Sequence, residues 1–125
     1  MTQKTDTQMA KEIYLNWCSL RRSIGRKATA FTEKREKQII ELLKDFYGDN
    51  ISLVVEYIKT SKDNYARFMR GENANKKDYT GFDNIFRPTK MSDKIDKAIA
   101  WDKIKSTKET YNSDGMYFPF RIVEG

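Results

Sequence analysis

Apolar side chains recur at three- and four-residue steps in four separate stretches of this chain, each bounded by a glycine, a proline or a capping residue. That period matches the turn of an α-helix, so the chain is restricted to short helices packed through one face each. In the first stretch Ala10, Ile13, Tyr14, Trp17, Cys18 and Ile24 mark a helix from Met9, with Asp6 or Thr7 as its cap and Gly25 as its end. In the second, Thr32 is a good N-cap with Glu33 in the first turn. Ile39, Ile40, Leu42, Leu43 and Phe46 supply its apolar face, and Gly48 is the stop.

The third stretch, Ile51, Leu53, Val54, Val55, Tyr57 and Ile58, is almost continuously apolar behind Asp49 or Asn50. It reads as a short central helix in preference to a buried strand, because the cap is good and the connection from Gly48 is short. Tyr65, Phe68 and Met69 form a weaker apolar turn, and Gly71 to Gly81 carries every local signal of a loop. Phe82, Ile85 and Phe86 predict a single helical turn. Pro88 then fixes a break, and Thr89 or Ser92 opens a last helix with Met91, Ile95, Ala98 and Ile99 on its face. Trp101 and Ile104 occupy an adjoining stripe.

The reading is a mainly α domain, a small bundle of about four helices with a long loop between the third and fourth. It leaves room for a short β element near the loop or the tail. Residues 1–8 form a flexible N-terminal tail, 9–105 the helical domain and 106–125 a C-terminal tail with an apolar segment. A hydrophobic share of 38% over 125 residues supports one small core and no second one.

Composition narrows the function. The chain has no histidine and one cysteine, Cys18, which excludes a zinc finger or a zinc-dependent nuclease. A carboxylate-only magnesium site stays formally open. Cys18 lies inside the apolar pattern of the first helix, as a buried inert thiol does. No apolar run approaches a membrane span, and the N-terminus lacks a signal-peptide hydrophobic region. The expected location is the bacterial cytoplasm. Paired carboxylates, a nucleophile with its base and a phosphate loop at the proper spacing are all missing, so the chain reads as a non-enzyme with no cofactor and no small-molecule substrate.

A net charge of +6 and a pI near 9.4 fit a nucleic-acid binder slightly better than a binder of an acidic protein partner. Basic residues concentrate from Arg21 to Lys37 and from Lys59 to Lys90. In the second stretch Arg67, Arg70, Lys76, Lys77 and Arg87 alternate with Tyr65, Phe68, Tyr79, Phe82 and Phe86. Such cations neutralise phosphates, and exposed aromatics stack on unpaired bases. The three phenylalanines are expected in the core and Tyr79 outside it. Arg21, Arg22, Arg26 and Lys27 extend the phosphate path, although positive charge there also complements a helix C-terminus. The second and third helices have the short connection of a helix-turn-helix. The third offers only Ser52 and Glu56 as base-reading side chains, so it is a buried helix and not a recognition helix.

Ala66-Arg-Phe-Met-Arg-Gly-Glu-Asn, Gly81-Phe-Asp-Asn-Ile-Phe-Arg-Pro and Lys94-Ile95 follow one another behind the basic helix Thr32-Glu-Lys-Arg-Glu-Lys-Gln-Ile-Ile. In that order they resemble the C-terminal helical module of phage replication-initiation proteins, the replisome organisers related to the lambda O protein. The resemblance covers roughly Ile13 to Trp101. Two features depart from it: Asn75 to Tyr79 stand where the family has a tryptophan, and the winged-helix domain that precedes the module in those proteins is missing.

The resemblance implies a phage replication context, with contacts to DNA, single- or double-stranded, or to the replicative helicase or its loader. The alternative is a small phage-encoded inhibitor of a host replication or CRISPR complex, acting by protein–protein contact. In that case Tyr117, Phe118, Phe120 and Ile122 of the apolar tail are the partner-binding residues.

Overall fold

The central element of the fold is the stretch with the least polar sequence. In the computed structural model, which describes the backbone of residues 4–113 and side chains from Lys4 to Ile104, this stretch is a helix packed against two others. The described residues form six helices and no strand: α1 (Asp6–Ser23), α2 (Glu33–Leu43), α3 (Gly48–Thr60), α4 (Asn64–Met69), α5 (Phe82–Ile85) and α6 (Pro88–Ser113). The mainly helical bundle expected from periodicity is what forms. The two additional helices are the short turns around Phe68 and Phe82. The short β element for which the sequence left room does not form at the loop, and the tail beyond Ser113, its other place, lies outside the described residues.

α3 buries Ile51, Val54, Val55, Tyr57 and Ile58 against both α1 and α6. α1 contributes Ala10, Ile13, Trp17, Cys18 and Leu20, and α6 contributes Met91, Ile95 and Ala98. α2 packs on α1 through Ile39 and Leu42. Each fully buried aliphatic side chain stabilises the fold by roughly 1.5–3 kcal/mol, so this three-helix seam carries most of the stability. Among the described residues no helix is long and apolar enough to cross a membrane.

Helix ends shift from the expected positions for local reasons. α1 starts at Asp6, and its cap is neither Asp6 nor Thr7 but Thr5. The Thr5 hydroxyl accepts from the Gln8 amide at 3.1 Å, and Gln8 Oε1 accepts from the Thr5 amide at 2.8 Å, a complete capping box. α2 keeps its Thr32 cap. Gly48 opens α3 and does not close α2, which ends at Leu43, and α1 passes so near that a Cβ on Gly48 would sit 3.2 Å from Met9 Sδ. α6 begins at Pro88 itself, since a proline in the first helical position has no amide to leave unbonded. It then runs to Ser113, past Lys105.

α1 and α4 end in the same way. Arg26 and Gly25 donate to the carbonyls of Arg21 and Arg22, and Glu72 and Gly71 donate to those of Arg67 and Phe68. Both are Schellman ends, and the glycines at φ +72° and +99° occupy the left-handed position that the motif requires. These two reversals bring the loop after α4 beside the end of α1.

Candidate nucleic-acid interface

Asp78 is where the two basic stretches meet. Its Oδ2 accepts from Arg21 Nη1 at 2.5 Å and lies 3.8 Å from Arg26 Nε. Its Oδ1 accepts from the Thr80 amide at 2.8 Å and from the Thr80 hydroxyl. Arg21 also donates to Thr80 Oγ1 at 3.0 Å and to the Lys27 carbonyl at 2.8 Å. Burial pushes the Asp78 carboxyl up, but the hydrogen bonds from Thr80 and Arg21 together hold it below the usual carboxylate value. The Trp17 indole donates to the Thr80 carbonyl at 2.8 Å, so the core itself anchors the loop.

Asn73 sets the shape of the rest of the loop. Its amide nitrogen donates to the carbonyls of Phe68 and Lys77, and its oxygen accepts from the amides of Asn75 and Lys77. Gly71 to Gly81 is therefore an ordered platform, its backbone groups paired partly within the loop and partly with α4 and Trp17. It presents Lys76 and Lys77 outward, both exposed.

The aromatics divide differently from the expectation. Phe82 and Phe86 are buried, as expected, but Phe68 is 47% exposed. Tyr79 is half-buried and not exposed; its ring stacks on Phe68 at 5.1 Å with planes 10° apart. The reason is that the Tyr79 amide donates to the Met69 carbonyl, which folds the loop back over α4. Lys77 Nζ lies 5.5 Å from the Tyr79 ring centroid. The result is an aromatic pair at the surface with cations beside it.

Two expected phosphate ligands are committed inside the protein. Arg21, 15% exposed, holds Asp78. Arg70 Nη1 donates to the carbonyls of Ile58 and Ser61 at 2.9 and 2.7 Å, capping the end of α3. Arg67 is exposed and paired with Glu72 at 2.8 Å. Arg22, Arg26, Lys27, Lys76, Lys77 and Arg87 are exposed. Tyr117, Phe118, Phe120 and Ile122 lie outside the described residues.

The loop also joins the start of α6. Asn84 Nδ2 donates to the Tyr79 carbonyl at 2.6 Å, and Lys94 Nζ donates to the Asn84 carbonyl at 2.8 Å. Lys94 is only 4% exposed. Burial, with help from Arg87 and Lys90, pushes its ammonium down to about 8. The order along this band is therefore the end of α1, the loop, and the α5–α6 junction, with cations at every step. Among the described residues no three cysteine or acidic side chains gather as they would around a metal ion.

Sequence reasoning missed Asp78, Asn73 and Thr80, and it used Lys94 only in the resemblance, without foreseeing its buried bond to the Asn84 carbonyl. Asp78-Tyr-Thr80 carries a detectable signal, an acidic residue two before a threonine, which is the spacing of an Asx turn. No protein-family model, curated protein or solved structure matches the chain.

Proposed function

We propose that the protein is a phage-type accessory of DNA replication that binds nucleic acid without sequence specificity and contacts the replicative helicase or its loader. The observation that carries the binding half is the convergence at Asp78 of two basic stretches distant in sequence, beside the surface pair Phe68–Tyr79. Exposed cations track a phosphate backbone, and an aromatic face takes an unpaired base of any identity. That combination favours single strands. The helicase contact rests on the resemblance of Ala66–Asn73 and Gly81–Pro88 to replisome-organiser modules.

Fluorescence anisotropy with labelled single- and double-stranded oligonucleotides, at low and then physiological salt, tests the reading. Binding with a dissociation constant of about micromolar and a steep salt dependence is expected. Lys76→Glu/Lys77→Glu should lower the log–log salt slope by about one to two units. Phe68→Ala should weaken single-strand binding by about 1–3 kcal/mol and leave duplex binding unchanged. No binding at low salt overturns the DNA reading and leaves inhibition of a host complex as the function to pursue.

A further inference from the structure

On the groove lined by the end of α3, α4 and α6 the side chains are of a different kind. It encloses about 850 Å³ and is lined by Tyr57, Tyr65, Trp101, Ala100, Lys97 and Ile104, among others. Tyr57 and Tyr65 lie nearly parallel at 6.3 Å, and Trp101 meets Tyr57 at 5.6 Å. Lys97 Nζ sits 5.1 Å from the Tyr65 ring centroid. Ile104 is 59% exposed at the mouth. The rim mixes signs, with Glu56 and Asp63 beside Lys62 and Lys97. Carboxylates on the rim make it a poor seat for a nucleic-acid backbone, and the aromatic floor fits an apolar peptide.

We infer that the C-terminal segment Met116–Val123 of this same chain docks in that groove. The helix that lines the groove is also the one that leads to the segment. α6 continues from Ile104 to Ser113, a distance of about 14 Å at 1.5 Å per residue. Asp114-Gly115 follows, a pair suited to reversing the chain. An extended Met116–Val123 then spans about 26 Å, enough to return along α6 to Ile104 and on to Trp101 and Lys97.

The segment brings Tyr117, Phe118, Phe120 and Ile122, with Arg121 and Glu124 to meet a rim of both signs. The short connection also places it at high effective concentration over its own groove. This inference is independent of the nucleic-acid reading.

Paramagnetic NMR on the full-length chain tests it. Gly125→Cys accepts a nitroxide label, while Cys18 is buried and the chain has no other cysteine. Resonances of Tyr65, Lys97, Ala100 and Trp101 should lose most of their intensity, equally at high and low protein concentration. Adding Ile104→Glu, a change at an exposed position, should restore them.

Three outcomes overturn the inference. Loss that is greatest in residues 109–113 would mean the groove is open. Loss that grows with concentration would put the tail of a second copy there. Loss unchanged by Ile104→Glu would place the tail elsewhere.

Discussion

The α1–α3–α6 seam and the Gly71–Gly81 loop are held together by different chemistry. In the seam, Ile13, Trp17, Val54, Ile58, Met91 and Ala98 exclude water, and what matters is volume. In the loop, a few polar atoms at Asn73, Asp78 and Thr80 are satisfied by specific hydrogen-bond partners, and what matters is geometry. The difference teaches that a basic sequence overstates its binding surface. Arg21 and Arg70 lie in the basic stretches, yet their guanidinium groups satisfy internal oxygens.

Breaking the seam should have the largest effect. Ile58→Ala leaves a cavity at a fully buried position and should cost about 3 kcal/mol, read as a lower urea midpoint. Arg21→Met attacks the loop instead, leaving the Asp78 carboxylate, 13% exposed, without its main cation. It should cost about 2–3 kcal/mol. Asp78→Asn on top of it should cost less than the two single changes added together, since the pair is coupled. Hydrogen exchange would sharpen the contrast: Arg21→Met should speed exchange at Tyr79 and Thr80 before α3, whereas Ile58→Ala should speed it throughout.

Lys94→Met tests the junction between the two regions. The ammonium loses its proton near pH 8 when folded and near 10.5 when unfolded. Between those values the unfolded chain holds more protons, so stability rises with pH, by about 3 kcal/mol at most. The variant should flatten that rise between pH 8 and 10. At pH 7 it should be more stable by about 1–2 kcal/mol, net of the lost hydrogen bond to the Asn84 carbonyl. Asp78 gives a slope of the same sign in an acidic window: its contribution is full above the ordinary value of 3.8 and fades as pH falls through its lowered folded value. Asn73→Ala is the smallest change, about 1 kcal/mol, and should loosen the loop while leaving the helices intact by circular dichroism.

Much of the helical body was legible because burial imposes a period on the sequence. α2 kept its Thr32 cap, and α5 formed as the single turn expected behind Gly81. The errors were local. Pro88 looked like a break and is the first residue of α6, because the same missing amide that breaks a helix interior is harmless at its start. Phe68 and Tyr79 exchanged roles, since residue type cannot say which ring lies on top when two stack.

By itself, then, the amino-acid sequence determined a basic helical domain with one small core, from the spacing of apolar residues and the excess of lysine and arginine. Only the tertiary structure decided which cations face outward. That choice depends on contacts between residues far apart in the chain, Arg21 with Asp78 above all. No local pattern encodes such a contact, because it exists only once α1 and the loop have been brought together by the packing of the helices between them.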